Sequence, residues 1–486
     1  MMEVASPGST GRREMLLWIL PPVLLGVFSV ISGYNGLYGQ DSYEYLRYSR
    51  ALHLFMAGGA PPGPFLWPVL YPLAGALVSF ILPAIFSLQL VSLAALGISS
   101  FFLREILNRL FPEYRTGTLT YTFLFYSLSP FILRYSASIM SESLALLFLT
   151  GFFNYYLAYF RERKPAYFLR LCLFAACAIN TRYPTLVILA VPLVHTIFIF
   201  VKNFHWRALA GSVLILAVVF LPGVLATRLP GGTEPLQTNL EFWSGKFLQW
   251  SPANFFKSSF LTEDGHLHYP FPNLIYILSC AVHPGFLFTG FLFVIFIGSP
   301  ENKWKHSGGI LASLAVYLLF LAGLPVQNDR LVLLGFPIVL IFFAGTFLRL
   351  YNRFLQKKKW RVLFITGVIL IQLAIFYRAF LPFYRDNRDT RYIATRISAY
   401  PDKTIYTFNI DQALKAYGVQ NRIVNIWEKP VREFEPHALV LFNLTKTAVQ
   451  WKGLNPMLNW EKVNREHHLK ILEQFPMGWE LYGISD

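Results

Sequence analysis

The sequence predicts an all-α polytopic membrane domain followed by a small α/β domain. Three observations carry that prediction. Of 486 residues 55% are hydrophobic and 17% aromatic, and the mean hydropathy is +0.46. Many apolar runs reach the roughly 18–25 residues needed to cross a bilayer. From residue 382 onward the pattern changes to short strand-like and helix-like segments with no run of spanning length.

In chain order, the apolar runs fall at 15–33, 66–84, 86–104, 118–134, 142–160, 166–180, 184–201, 207–227, 272–298, 308–325, 330–348 and 361–381. The run from Met15 lacks a small-residue cleavage site and reads as a retained helix rather than a signal peptide. The net charge of +16 is placed by topology, not by a nucleic-acid partner. With a cytoplasmic N-terminus and 66–84 not crossing, the segments 1–14, 104–115, 161–170, 202–207, 301–306 and 349–361 are cytoplasmic. They hold 19 of the 28 Lys and Arg residues that precede position 382, as the positive-inside rule requires. Trp67, Pro68, Tyr71, Pro72 and Pro83 interrupt 66–84, which reads as a re-entrant or interfacial hairpin. About 11 true spans remain. A membrane domain 1–381 with a first exoplasmic loop at 34–65 and a long one at 228–271 follows, then an exoplasmic α/β domain at 382–486.

That parity puts Asp41, Arg134, Glu142, Arg182, the 228–271 loop, Asp329, Arg330 and the tail on the exoplasmic face. After the first span, Tyr45, Tyr48, Leu52, Phe55 and Met56 recur at helical spacing, while Glu44, Arg47 and Arg50 fall elsewhere. A helix lying at the membrane surface fits that pattern. Asp41 is then either its N-cap or a general base at the water–lipid boundary. Glu142 is either a first-turn residue in a cap box around Ser141 or a second acid. Arg182 either snorkels to headgroups or clamps a phosphate with its fork of donors. Arg330 has the same choice, with Asp329 as the neutralising neighbour. The 228–271 loop mixes aromatics with Gly, Pro and Asn and suits a surface lid carrying short amphipathic helices.

His266, His268 and His283 have no strong ligand spacing and read as solvated loop residues. Cys172, Cys177 and Cys280 all sit in apolar runs, so neither a disulfide framework nor a zinc site is expected. In the tail, 404–409, 422–427, 438–443 and the terminal WELYGI read as strands, with helices between them, an open sheet with crossover helices. Asn443-Leu444-Thr445 fits a glycosylation acceptor. The motifs of serine hydrolases, zinc proteases and P-loop ATPases are absent from the sequence.

The pattern resembles the GT-C superfamily of polyprenyl-phosphate-sugar-dependent glycosyltransferases, nearest the branch of protein O-mannosyltransferases and lipid A aminoarabinose transferases. Four stretches carry the resemblance: Gln40-Asp41-Ser42-Tyr43-Glu44-Tyr45, WPVLYPLAGALVSF, Ser141-Glu142-Ser143 with Arg182-Tyr183-Pro184, and Gln327-Asn328-Asp329-Arg330-Leu331. Where protein O-mannosyltransferases show adjacent Asp-Glu, Ser42 follows Asp41 here. The resemblance implies a membrane glycosyltransferase of the mannosyltransferase-like, hexosyl or pentosyl kind. It would move a monosaccharide with inversion from a polyprenyl-phosphate donor to an acceptor hydroxyl on lipid, glycan or protein. Asp41 is the implied base with Glu142 as second catalytic acid. Arg182, Arg330 and Arg134 would bind the donor phosphate, and Tyr43, Glu44 and Tyr45 would line the substrate. The cofactor is unknown, with room for a divalent cation but no dedicated protein site. The implied setting is a bacterial inner membrane with a periplasmic active site. The alternatives are a flippase, transporter or polymerase for lipid-linked glycans.

Overall fold

The computed structural model describes residues 7–228, 249–290, 293 and 304–485. Helices α1 (Pro7–Ser32), α2 (Gly39–Met56), α3 (Leu70–Val78) and α4 (Ala84–Leu110) open the chain. Apolar side chains outside the core explain the environment. Val30, Ile31, Ile81, Val194, Val201 and Leu214 are largely exposed, and a surface that apolar needs lipid rather than water. Six helices of the described residues are long and apolar enough to cross a membrane, with shorter apolar stretches beside them. The chain is an integral membrane protein. At nine residues α3 is about 14 Å long, too short to cross the hydrocarbon core.

The run 118–134 is not one helix. It divides into α5 (Arg115–Thr122), a π turn at Phe123–Ser127 and α6 (Pro130–Ala137). Pro130 sits in the first turn of α6, where a missing N–H is no loss. Then come α7 (Glu142–Glu162), α8 (Pro165–Ile179), α9 (Thr185–Lys202) and α10 (Trp206–Arg228). Within the 228–271 loop, residues 229–248 lie outside the described residues. The described remainder holds a 3-10 turn at Pro252–Phe256 and a hairpin of β1 (Ser259–Thr262) and β2 (Gly265–His268). The run 272–298 is described only in part, as three short turns, α11 (Asn273–Tyr276), α12 (Ser279–Val282) and α13 (Pro284–Leu287). Helices α14 (Trp304–Gly323) and α15 (Asp329–Phe354) follow. Helix α16 (Lys358–Ile397) has 40 residues and passes through position 382 without a break. Helices α7 and α15 form the buried centre, while α10 and much of α16 face outward.

The C-terminal part is a five-stranded sheet in the order β4-β3-β5-β7-β6. Strand β3 (Ile405–Thr407) runs parallel to β4 (Ile423–Asn425) and β5 (Leu439–Phe442), with α17 (Asp411–Ala416) as the crossover between β3 and β4. After β5 come α18 (Leu444–Gln450), α19 (Asn455–Glu466), β6 (His468–Gln474) and β7 (Glu480–Ser485). Strand β7 is antiparallel to both of its neighbours, opposing Val440 with Tyr482. The sequence reading missed β6 because it is a mostly exposed edge strand without clean alternation. Asn443 is not an open glycan acceptor. It is buried, its Oδ1 accepts from the Lys446 N–H at 2.9 Å and its Nδ2 donates to the Met477 carbonyl at 2.8 Å, capping α18.

A single hydrophobic cluster joins the two parts. Leu37, Tyr43, Leu46 and Tyr71 of the membrane part pack in it with Ile405, Leu414, Leu441 and Trp479 of the sheet part.

Candidate active site

The break between α6 and α7 organises the site. Ser138–Ser141 is non-helical and buried, so its backbone groups need partners. The Ile139 N–H donates to the Gly36 carbonyl at 2.7 Å, and Gln89 Nε2 donates to the Ala137 carbonyl at 3.0 Å. Hydroxyls complete the seam: Tyr34 with Ser138 at 2.9 Å and Tyr45 with Ser141 at 3.0 Å. Gly36 has φ +84°, and a Cβ there would lie 3.0 Å from Ile139 Cγ1 and 3.3 Å from the Ala137 carbonyl oxygen. That crossing fixes the loop after α1 against the start of α7, and so fixes Asp41 relative to Glu142.

Asp41 is not the N-cap of α2. The cap is Tyr38, whose N–H donates to Ser42 Oγ at 2.7 Å, leaving Asp41 in the first turn. Its carboxylate instead accepts from Arg330 Nη1 at 2.5 Å. Arg330 also donates through Nε to Glu142 Oε1, which accepts in addition from Arg182 Nη1. Four residues from α2, α7, the α8–α9 turn and α15 therefore form one chain: Asp41, Arg330, Glu142, Arg182. The Glu142 side chain has no solvent exposure, whereas Asp41 keeps 27%. A fully buried carboxylate is tolerated only with such pairing. Ser141 does flank α7 as its N-cap, but its side chain makes no cap bond. Glu142 faces the two guanidiniums rather than Asp41.

Asp329 does not neutralise Arg330. It pairs with Arg134 Nη2 and accepts from the Tyr135 hydroxyl at 2.6 Å. Arg134 lies over the Phe383 ring at 4.2–4.6 Å from the Phe131, Tyr135 and Phe383 centroids. Arg134 thus belongs to a second pair beside the first, supplied by the residue that precedes Arg330.

The three Tyr/Glu positions diverge, as neighbours on a helix must. Tyr45 is buried next to the charge chain, and burial pushes its phenol up to about 12, so it stays protonated against Ser141. Glu44 is taken by Arg47 at 2.5 Å. Tyr43 faces α17 and the sheet part. His268 bonds Ser259 Oγ at 2.7 Å and His283 accepts from the Gly285 N–H at 3.0 Å. Among the described residues no three His, Cys, Asp or Glu side chains group as a metal site would require. The sequence reading missed Tyr135 and Asn387. Tyr135 stands next to Arg134 in the chain, and Asn387 lies past Pro382 in what reads as a separate tail.

Chemically, the site offers one part-exposed carboxylate beside guanidiniums held from behind by a buried acid. Arg182 and Arg330 keep further N–H groups directed elsewhere than Glu142 and Asp41.

No protein-family model and no curated protein matches this sequence. Solved structures do. ArnT from Cupriavidus metallidurans bound to undecaprenyl phosphate is similar with a TM-score of 0.58 at 12% identity, covering 95% of this chain and 97% of that one. Its apo state gives 0.56 at 13% identity with the same coverage. The apo oligosaccharyltransferase of Archaeoglobus fulgidus gives 0.52 at 11% identity, covering 97% of this chain and 74% of that one. The fold is the GT-C membrane fold.

Proposed function

We propose that this protein is a membrane glycosyltransferase that moves a monosaccharide from a polyprenyl-phosphate donor to an acceptor hydroxyl, with inversion, on the exoplasmic side. The observation that carries the reading is the chain Asp41–Arg330–Glu142–Arg182, two carboxylates and two guanidiniums built from four separate segments. The acceptor O–H gives its proton to the Asp41 carboxylate as its oxygen bonds the anomeric carbon. The bond from that carbon to the phosphate oxygen breaks, and the electron pair leaves with the polyprenyl phosphate. That leaving group is already anionic, so it needs cations placed in advance more than it needs a proton. Arg182 and Arg330 supply them, with Arg134 at the edge. Glu142 holds both guanidiniums in place and is shielded from the substrate side. Undecaprenyl phosphate bound to ArnT, a structure of the same fold, supports the donor class. The charge asymmetry of the loops supports an exoplasmic site, as in a bacterial inner membrane.

The test is acceptor-dependent or water-dependent release of sugar from a panel of radiolabelled polyprenyl-phosphate sugars by the purified protein. Wild type releases sugar from at least one donor. Asp41→Asn falls by about 10²–10⁴-fold, the usual contribution of a positioned base, with its melting temperature little changed. Full activity in Asp41→Asn would overturn the role of Asp41, and a wild type inert on every donor would overturn the reaction.

A further inference from the structure

Beyond the charge chain lies a cavity of about 130 Å³ where three parts of the chain converge. Tyr38, Gln40 and Tyr43 come from the start of α2, Asp386 from α16, and Asn409, Lys446 and Trp479 from the sheet part. Gln40 and Tyr43 are three apart and share a helix face, whereas Asp41 points to the other side of α2. Tyr38 stacks on Phe383 at 3.6 Å between centroids. It lies within electrostatic reach of Asp386 as well as of Arg134, Asp329 and Arg330, so it adjoins both the cavity and the charge pairs.

The wall of this cavity is unfinished as a hydrogen-bonding surface. The buried Gln40 Oε1 has no hydrogen-bond partner, while Tyr43, 4% exposed, stands edge-on against Tyr417. Gln40 Nε2 is spent on Asp411 Oδ1 at 3.3 Å, which turns Oε1 away from that carboxylate. Buried polar atoms left without partners destabilise a structure unless something else completes them.

The chemistry of the wall selects its occupant. Asp386 and Lys446 act on one another, so the cavity carries one charge of each sign. An anion would meet Asp386 and a cation would meet Lys446. A neutral group whose hydroxyls both donate and accept meets each of them, together with Gln40 and Asn409. Tyr38 and Trp479 add flat apolar faces of the kind that a sugar's C–H face covers. We infer that this cavity binds one pyranose ring of a carbohydrate-bearing acceptor, and therefore that the acceptor hydroxyl belongs to a sugar rather than to a Ser or Thr side chain. The inference rests on the glycosyl-transfer reading for the word acceptor, and on the cavity alone for the word carbohydrate.

The test is direct binding, independent of turnover. The full chain is placed in lipid nanodiscs free of glycosidic detergents, and saturation-transfer NMR titrates methyl glycosides of glucose, galactose, mannose and N-acetylglucosamine, with a Ser/Thr hexapeptide as competitor. At least one glycoside is expected to bind, and binding persists in Asp41→Asn. Affinity falls about fivefold in Gln40→Met, which loses the unpaired acceptor, and about tenfold or more in Lys446→Met, which loses a charged donor. Both variants are first checked for an unchanged melting profile. No binding of any glycoside, equal binding in wild type and both variants, or displacement by the peptide would each overturn the inference. If glycosides bind as expected while no polyprenyl-phosphate sugar is turned over, the carbohydrate site stands and the transferase reading falls.

Discussion

Glu142 carries a negative charge to a place without solvent contact, and two guanidiniums sharing its Oε1 are what keep it there. Replacing it by Gln leaves Arg182 and Arg330 buried beside an amide that cannot neutralise them. Breaking one partner out of a buried ion pair costs about 3–5 kcal/mol. Glu142→Gln is therefore expected to lower the thermal midpoint of the purified protein markedly. Asp41→Asn, at a part-exposed carboxylate with one guanidinium partner, loses about 1 kcal/mol or less. Equal losses in the two thermal scans would show that the acids play the same part. Arg330 is the link between them, and a lysine cannot reproduce its fork. Arg330→Lys should reduce sugar release by about 10²-fold, the scale for losing one transition-state donor, and a change under threefold would remove Arg330 from the leaving-group role.

At the scale of elements, the site depends on a loop held from both ends. Gly36 makes the crossing with Ala137 and Ile139 at a left-handed φ, and Asn387 of α16 reaches back to hold the same loop. Its Nδ2 donates to Asn35 Oδ1 at 2.6 Å and to the Leu37 carbonyl at 2.8 Å. Gly36→Ala adds both strain and contact, about 1–3 kcal/mol of it backbone strain, and should cut turnover while leaving α2 helical. Asn387→Ala should raise amide hydrogen exchange in residues 33–38 above that of the rest of the membrane part. Unchanged exchange there would mean that the loop is held by packing alone. These elements also mark the limits of sequence reading. The periodic Tyr45, Tyr48 and Leu52 were legible as a helix face, and all three are buried. The start of α2 was not, because Ser42, a residue inside the helix, closes the first turn and frees Asp41. The run 118–134 read as one span because its hydropathy is continuous, while the break comes from Pro130 and a π turn, to which a hydropathy window is blind.

For the whole molecule, the sequence could bring the charged residues to one face, and what it hid was pairing. Loop charge placed Asp41, Glu142, Arg182 and Arg330 on one face, yet Arg330 meets Asp41 across 289 positions and Glu142 across 188, and no local spacing encodes such a meeting. The same holds for the tail. Four of its five strands were readable from 404 onward, but the hydrophobic cluster it shares with Leu37, Tyr43 and Tyr71 was not. That shared core bears on how the sheet part serves the site. Were it an appendage, a chain ending at Ile397 would keep every charged residue of the site, keep the whole of α16, and behave as the full protein does. The packing argues otherwise. Removing 398–486 strips Ile405, Leu414, Leu441, Trp479 and Leu481 from the cluster that backs α2. It also takes away the Tyr417 hydroxyl that accepts from Asn387 and Asn35. Each buried aliphatic or aromatic partner contributes about 1.5–3 kcal/mol, so the five together are comparable to the whole stability margin of an ordinary domain. The truncated chain should thus melt well below the full protein and release no sugar, while the far-UV helical signal of the spans persists. A truncated chain that melts and transfers like the full protein would mean that α2 and Asp41 are held by the membrane helices alone.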